Sequence, residues 1–577
     1  ASSAMPETAV RSNAGLLAGL ATFVLLVGFS TTLSAGFWSP RAAILLVVGG
    51  VGVPKLVGLL SVPRMRGPAA AALAFVGWAA LATAFSGNRT MALLGRYGQG
   101  TGLLFVAALA GAWAVGASLP AGGRRRVEQA LVAGVVLNAA VAIVQTAVDL
   151  SSLHLDLVAQ RAPGLVGNPV HLGALTAAAL ALVAPRLSPR LSPRTWPQTA
   201  AWAGIAVALA AGAQLSGSRS ALLAMAAVVV VAAVSHGWRP GCVLAACAVI
   251  GLGAGALVAA GTGSQTAAGR AGEGESGTSA RTGTWRTAVA ATFHHPLLGA
   301  GPGRFDAATS PRRTLAIARA EGPDRIFTDA HNLILEYTTT TGIPGAIAGI
   351  AFAGLAVTAA RGPRRTFALA VLAVGLVEPQ SVVTTPIAFL ALGTAAVWDP
   401  GGRQAPMGVR ATSAGLAFVA AGAAAALLVG DFHLEQAKLD FGLAQASAAA
   451  AWLPPWPEPR GQLAKVYVLR SKARGADTAA EDAQARRWRT AAAERNPTEA
   501  NLWNDLGDLE LATGRVSSAE QHYRLALTRD PWSVRALNGA ARARIAQGDP
   551  VGAGPFLRRS LLVRPAQPSI VELLHGP

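Results

Sequence analysis

The sequence predicts an all-α protein with two parts: a polytopic membrane domain of about 12–13 transmembrane helices, followed by a solenoid of helical repeats. The first part follows from composition. The chain has 577 residues, a mean hydropathy of +0.43 and only 13% charged residues, which differs from the composition of soluble globular proteins. The second part follows from a repeat with a period of 34 residues near the end of the chain, which is the period of tetratricopeptide repeats.

A transmembrane helix needs about 17–25 predominantly apolar residues, and about thirteen segments of the chain are candidates. The first is too long for a cleaved signal peptide, and the segment 366–378 is the shortest. The predicted spans lie near 14–34, 42–61, 68–86, 101–118, 128–148, 170–185, 199–215, 220–236, 241–260, 332–360, 366–378, 382–398 and 413–430.

Arginines are concentrated in alternate loops of the membrane domain, and loops of this kind face the cytoplasm. With thirteen spans the residues after Gly430 are outside. The sequence therefore predicts a multi-pass protein of the cytoplasmic (inner) membrane, with its repeats on the exterior side. Much of the net charge of +19 serves this orientation, and no aromatic-basic module is present, so no nucleic-acid partner is expected. The orienting arginines include Arg64, Arg124, Arg186, Arg239, Arg364 and Arg410.

Composition divides the chain into a membrane domain, residues 1–430, and a repeat domain, residues 431–577. The membrane domain contains one long exterior loop, residues 261–331, which is rich in Gly, Ser, Thr and Arg at its start. Loops of this length are usually functional or disordered.

The repeat domain is recognised by small residues, aromatic residues and prolines at matching positions. Small residues let paired helices approach, the aromatic residue fills the gap, and the proline ends the second helix. Such arrays stack into a solenoid that either binds a partner protein or only holds shape, and the sequence leaves both roles open. The recurring residues include Pro497, Pro531, Pro565, Ala485, Ala519 and Ala553, with Trp503, Gly507 and Tyr523 in the middle copy.

Arg219 is the most specific candidate for binding an anion. It follows Ser216 and Ser218 at the predicted start of a membrane helix, where serines can cap the free N–H groups. A helix N-terminus carries a partial positive charge, and an arginine adds bidentate geometry suited to phosphate. The alternative is an interface arginine that reaches for lipid phosphates.

His331 is the candidate general base, because its usual pKa lets it gain or lose a proton near neutral pH. Asp329 and Glu336 lie close in sequence, and either could orient the imidazole. The alternative is a histidine at a helix end that only bonds backbone.

Further polar residues occupy loops that topology places on the same side of the membrane. No Asp-x-Asp pair occurs in any exterior loop, so arginine rather than a metal ion is expected to neutralise phosphate charge. We therefore expect neither a metal nor another cofactor. The candidate substrate-binding residues are Arg96, Arg161, Asn168, Ser218, Arg281, Arg286 and Asn332.

The order of these motifs resembles the O-antigen ligase and polymerase family over roughly residues 70–400. Each motif is short, but their order, spacing and common side of the membrane are specific. The resemblance is carried by the Arg96 loop, Gly164 to Pro169, Ser216 to Arg219, Trp285, Pro296 to Phe305, His331-Asn332 and Thr341 to Gly345.

The resemblance implies a helical membrane fold of the C type of glycosyltransferases. It also implies transfer of a glycan from a polyprenyl-diphosphate carrier to a hydroxyl of an acceptor glycan, glycolipid or protein, outside the membrane and without metal. Direct displacement would invert the anomeric centre. The family's conserved arginine and histidine correspond to Arg219 and His331, and another arginine to Arg286 or Arg281. Asp329 stands where many ligases have a histidine, which leaves ligase and polymerase branches open.

Transport is the alternative function: a flippase or exporter of lipid-linked saccharide would also use arginines facing one cavity. Transporters place polar groups near the bilayer midplane. Here the predicted midplane is nearly free of charge, with Lys55 and Glu378 as the main exceptions, so the sequence favours group transfer.

Overall fold

Helices make up nearly all of the regular structure. The computed structural model describes residues 7–187, 196–271, 276–322, 324–325, 327–398, 406–474 and 478–575. Within these ranges the only β structure is two isolated bridges. The prediction of an all-α protein is confirmed.

Several of the first ten helices pack in parallel pairs. α1 packs on α6, α2 on α5, and α8 on α10; along the first pair, for example, Gly15 lies against Gly123 and Leu26 against Gly134. Their bounds are α1 Glu7–Val27, α2 Ser39–Leu59, α3 Pro63–Ala84, α4 Arg89–Leu94, α5 Leu103–Ala117, α6 Ala121–Ala147, α7 Pro169–Val183, α8 Trp196–Leu215, α9 Arg219–His236 and α10 Trp238–Thr262.

The described residues of the long loop, 261–331, are largely helical rather than structureless, and the chain then returns to the membrane domain. The returning helix α15 packs on α3, α17 on α5, and α18 on α2. The bounds are α11 Ala267–Ala271, α12 Ser276–His294, α13 Phe305–Thr309, α14 Leu315–Glu321, α15 Leu333–Ala359, α16 Pro363–Val374, α17 Thr384–Thr394 and α18 Met407–Leu439.

Every predicted span contains a helix. By length and composition, eight helices of the described residues are able to cross a membrane, and three shorter apolar helices accompany them. The remaining two predicted spans correspond to α8 and to α16, which has only 12 residues. The chain is thus built as a multi-pass membrane protein.

The basic residues of alternate loops meet at one end of the helix bundle, which we call the basal face. Arg124 donates to the carbonyls of Ala396 and Trp398, both at 2.8 Å. Glu128 accepts from Arg186 at 2.6 Å and lies 3.6 Å from Arg364. These contacts join four chain segments that are distant in sequence, as the alternating arginines predict.

Helix α15 is broken at Gly342, which has a φ of +75°. The glycine-rich turn of the long loop covers the break: Ala300 N donates to Thr339 O at 3.1 Å, and Gly301 N donates to Thr340 O at 2.8 Å. Trp78 Nε1 donates to Thr341 O at 3.0 Å. The turn after Pro296 therefore completes the hydrogen bonding of a broken membrane helix.

The repeat domain consists of stacked helix pairs with the expected packing. A Cβ on Gly507 or Gly539 would lie 2.9 or 2.3 Å from the Tyr523 ring, so only glycine admits the aromatic side chain from both sides. Each recurring proline follows the end of a second helix by two residues. The bounds are α19 Leu443–Trp452, α20 Glu458–Arg474, α21 Ala479–Arg495, α22 Ala500–Ala512, α23 Val516–Arg529, α24 Val534–Ala546, α25 Pro550–Val563 and α26 Pro568–His575.

The repeat domain lies at the end of the bundle opposite the basal face. Asn88 Nδ2 donates to Arg495 O at 2.7 Å, and Trp456 Nε1 donates to Gly95 O at 3.1 Å. Helix α18 runs without a break from its apolar part to Leu439, so the predicted boundary at residue 430 falls inside this helix.

We expect Gly342→Ala to lower the thermal stability of the purified protein. A Cβ at this position would lie 2.1 Å from Leu297 O, on a backbone with positive φ, and strain of this kind costs about 1–3 kcal/mol before the clash is counted. The measurement is the midpoint of thermal unfolding in detergent.

Gly354→Ala is the matched control, because this glycine lies in the same helix and a Cβ added there would have no neighbour within 4 Å. That variant should unfold at the wild-type temperature or slightly above it, since alanine favours helix. Equal midpoints for the two variants would contradict the role of Gly342.

Candidate active site

The turn between α8 and α9, residues 215–219, is where the basic side chains converge. Gly217 has a φ of +61°, and a Cβ there would lie 2.5 Å from Arg161 Cδ. Arg270 Nη1 donates to Gly217 O at 2.9 Å. Two arginines from separate loops thus contact the turn that ends at Arg219.

Arg219 is the first residue of α9 and its side chain is exposed. Ser218 occupies the N-cap position, but its hydroxyl makes no capping bond; it lies 2.8 Å from Ser220 Oγ instead. The expectation that serine caps this helix is therefore wrong for Ser218.

Arg270 is close enough to Arg161 to affect the ionisation of Arg161. Burial, and next the positive charge of Arg270, lower the pKa of Arg161, whereas the Glu378 carboxylate opposes them. Crowded like charges favour a bound anion, because an anion relieves their repulsion.

Glu378 connects Arg281 with the turn between α8 and α9. We refer to Arg161, Arg219, Arg270 and Arg281 together as the arginine cluster. Glu378 Oε2 lies 3.0 Å from Arg281 Nη2, and Glu378 Oε1 accepts from Ser220 Oγ at 3.3 Å. The side chain is 8% exposed. The sequence counts this residue among the few charges of the membrane interior. In the structure α16 ends at Val374, and Glu378 lies in the connection to α17, level with the start of α9 through its bond to Ser220.

His331 lies in a strained backbone conformation, with a φ of +50°. Asp329 Oδ1 lies 2.7 Å from its Nδ1 and also accepts from its backbone N–H at 2.9 Å. Left-handed φ is rare for residues other than glycine and recurs at functional sites. The structure thus decides between the two candidate acids: Asp329 orients the imidazole.

Glu336 binds the backbone that precedes His331 rather than the imidazole. Its Oε2 accepts from the backbone N–H of Ala330 at 3.0 Å, while Trp285 Nε1 donates to the Ala330 carbonyl at 2.9 Å. These two bonds hold both polar groups of the residue that precedes His331. The Phe327 ring meets the imidazole edge-on, with centroids 5.6 Å apart.

The charges around His331 set its protonation. Burial lowers the pKa of the imidazole, but the Asp329 carboxylate outweighs burial and the net pKa is raised; Arg281 opposes this and Glu378 adds to it. His331 therefore shares the electrostatic field of the arginine cluster.

The two candidate asparagines cap helices. Asn168 Oδ1 accepts from Val170 N at 2.8 Å at the start of α7. Asn332 Oδ1 accepts from Ile334 N and Leu335 N at 2.9 and 3.0 Å, and its Nδ2 donates to Leu376 O at 2.8 Å. Asn332 thus fixes the start of α15 against the segment that carries Glu378.

Two predicted residues lie outside the cluster. Arg96 pairs with Asp306 and, at 3.0 Å, with Glu499 of the repeat domain. Arg286 is exposed, and it is five residues beyond Arg281 on α12, so the two side chains leave the helix on different faces. Of the two alternatives for the family's further arginine, the structure favours Arg281.

Sequence reasoning missed Arg270 and His171, and it did not assign Glu378 to the site. His171 is buried in α7, and its Nε2 lies 3.4 Å from Pro379 O. The signal for Glu378 was the proline that follows it, because a residue before proline disfavours helix. Arg270 carried no signal, since the loop around it has no regular pattern. A small cavity beside the cluster is lined by His171, Leu333, Gly375, Glu378, Pro379 and Thr385.

The fold and site define a multi-pass helical membrane protein in which arginines from separate segments meet at one turn and a histidine is held by a carboxylate. A family model described as O-antigen ligase matches residues 204–350, which include Arg219, Arg281 and His331 and exclude Arg161, Glu378 and the repeats. The match indicates a membrane enzyme of the ligase or glycosyltransferase type, as the motifs predict.

Other comparisons add little. No curated protein matches the sequence. Among solved structures, the crystal structure of the APC/C hetero-tetramer Cut9-Hcn1 is similar at 10% sequence identity and a TM-score of 0.23, covering 81% of this chain and 76% of that chain. A score this low carries no argument, so the repeat assignment rests on the 34-residue period and the helix packing.

Asp329→Asn is expected to lower the pKa of His331, because the carboxylate stabilises the imidazolium and the neutral amide does not. The pKa can be followed by NMR of protein labelled at histidine, with His331→Ala to assign the signal. The signal of His294, at the end of α12, supplies the internal control: at fixed pH it should have the same chemical shift in both proteins, which shows that the fold is retained. An unchanged titration of His331 would contradict the role of Asp329.

Proposed function

We propose that the protein transfers a glycan from a polyprenyl-diphosphate carrier to a hydroxyl of an acceptor glycan, glycolipid or protein, on the outer side of the cytoplasmic membrane. The observation that carries the proposal is the convergence of Arg161 and Arg270 on the turn that ends at Arg219, together with the charges of Arg281 and Glu378 that act on His331. Arginine is suited to a diphosphate, and a histidine is suited to removing a hydroxyl proton.

In the proposed reaction, an oxygen of the acceptor attacks the anomeric carbon of the donor sugar. A new C–O bond forms as the bond from that carbon to the diphosphate breaks, and the diphosphate leaves with the electron pair. The acceptor proton passes to Nε2 of His331, because Nδ1 faces Asp329. A single displacement of this kind inverts the anomeric centre.

The arginines stabilise the charge that develops on the leaving diphosphate. Arg219 stands at a helix N-terminus, whose partial charge has the same sign, and Arg161 and Arg270 contact the preceding turn. Arg281 is held by Glu378, which also accepts from Ser220. Glu378 therefore fixes one cation of the site relative to the turn that carries Arg219.

Asp329 keeps the imidazole in one orientation and stabilises the imidazolium after proton transfer. The reaction needs neither a metal nor a cofactor in this proposal, since fixed guanidinium groups supply the positive charge. The exterior side is assigned from the arginines of the basal face, which suit the cytoplasmic side.

Purified wild-type protein should transfer glycan from polyprenyl-diphosphate glycan of the native host to host membrane glycolipid, with or without a chelator. His331→Ala and Arg219→Ala should each lose transfer by about 10²–10³-fold, the usual cost of removing one charge-stabilising or proton-transferring group. Full activity in both folded variants would sink the proposal, and activity that a chelator abolishes would refute the absence of a metal.

Arg281→Ala and Arg286→Ala form a matched pair on one helix. Loss of Arg281 leaves Glu378 buried without its ion-pair partner and removes a cation from the site, so transfer should fall by about 10²-fold. Arg286→Ala should stay within about twofold of wild type, because the side chain is exposed and leaves α12 on a different face from Arg281. The reverse ranking would show that Arg286 is the family's further arginine.

Transport of the lipid-linked saccharide is the outcome to separate from transfer. Glu378 lies in the connection between α16 and α17 and is paired with Arg281, so this charge is part of the proposed transfer site. Movement of donor between leaflets of reconstituted vesicles, without any transferred product, would favour a flippase.

A further inference from the structure

The loop between α4 and α5, residues 95–102, is wedged between the membrane domain and the repeat domain. Gly95, Gly98 and Gly100 all have positive φ, which lets the loop turn sharply. Trp456 Nε1 donates to Gly95 O at 3.1 Å, and Tyr97 hydrogen-bonds to Asp431. Trp456 of the repeat domain and Asp431 of α18 therefore both bind this loop.

Arg96, from the same loop, bridges two other segments. One nitrogen pairs with Asp306 of the long loop, and the other lies 3.0 Å from Glu499 Oε1. The three side chains are 19%, 6% and 14% exposed, so the bridge is shielded from solvent. Glu499 immediately precedes α22, and its other oxygen accepts from Asn496 Nδ2 at 2.9 Å.

The loop reaches the active site through Gln99, whose Nε2 donates to Thr328 Oγ1. Thr328 directly precedes Asp329 and is three residues before His331. A continuous series of contacts therefore runs from Glu499 in the repeat domain, through Arg96 and Gln99, to the segment that carries the proposed base.

We propose that Arg96, Gln99 and Glu499 are positioning residues, and that the docked repeat domain is a structural part of the active site that holds the Asp329–His331 segment in place. This inference rests on the proposed function for its effect on catalysis. Arg96 then acts through its neighbours and does not bind the diphosphate.

Electrostatics support this role for Arg96. Burial lowers the pKa of its guanidinium, but Asp306 and Glu499 outweigh burial and raise it. Two carboxylates already neutralise this cation, whereas Arg161 stands next to a second arginine. An incoming diphosphate is attracted to the arginine cluster and gains little from Arg96.

The consequence is a specific kinetic signature. A shift of about 1 Å in a catalytic group can cost about 10²-fold in rate, while the arginine cluster that binds the donor stays in place. Glu499→Gln and Gln99→Ala should therefore lower kcat by about 10–100-fold and leave KM and Kd for the donor within about twofold. Arg96→Lys should recover part of the rate lost in Arg96→Ala, because lysine can still pair with one carboxylate.

The test combines these kinetics with hydrogen–deuterium exchange of the full-length protein. Exchange of the peptide that contains residues 328–332 should rise in Glu499→Gln, independently of any activity. Glu520→Gln is the matched control: the same change removes a carboxylate that binds Arg524 and Arg544 inside the repeat domain, away from the loop. It should alter neither the exchange of residues 328–332 nor kcat.

Each outcome has one reading. Raised exchange and a lower kcat in Glu499→Gln, with the donor Kd unchanged, support the inference. Unchanged exchange and unchanged kcat in a folded Glu499→Gln protein overturn it. A raised donor Kd in Arg96→Ala, with Glu499→Gln like wild type, makes Arg96 a diphosphate ligand and also overturns it. Raised exchange in a protein whose wild type transfers no glycan supports the coupling and rejects the proposed function.

Discussion

A membrane helix must satisfy its own backbone hydrogen bonds, and every break in such a helix has to be covered by protein. This constraint shapes the site. The break in α15 at Gly342 is covered by Ala300 and Gly301 of the long loop. The connection between α16 and α17 is covered by Leu333 N, which donates to Gly375 O at 3.0 Å, and by Asn332, which bonds Leu376 O. Because the long loop and the start of α15 cover these two breaks, they also bring His331 beside Glu378.

The second determinant is the meeting of cations from separate segments at the turn between α8 and α9. Arg161 and Arg270 both contact this turn at Gly217, Arg281 is held by Glu378, and Asp329 lies against His331. Positive side chains gathered in this way suit an anionic substrate group, because fixed charges need no reorganisation when charge develops.

The repeat domain is more closely integrated than an appended module. Arg313 and Asp530 form an ion pair of 3.0 Å whose side chains are 5% and 1% exposed, and Arg304 donates to Thr498 Oγ1 at 2.7 Å. Desolvated pairs of this kind demand good geometry, which restricts the relative placement of the long loop and the repeats. One edge of the solenoid is therefore occupied by contacts with the long loop of the same chain. That the repeats bind a protein partner remains a prediction.

The fold class, the helical spans and the repeat period could be predicted from the sequence, because hydropathy and periodicity are local properties. Arg219 and His331 could be singled out because each stands at the predicted end of a membrane helix. The pairing of Arg281 with Glu378, the choice of Asp329 over Glu336, and the separation of Arg96 from the arginine cluster could not. These are contacts between residues up to 403 positions apart, and their geometry depends on how the helices pack. Local sequence therefore determined which segments are helices and which side chains lie at their ends, whereas tertiary packing decided which of those charges meet.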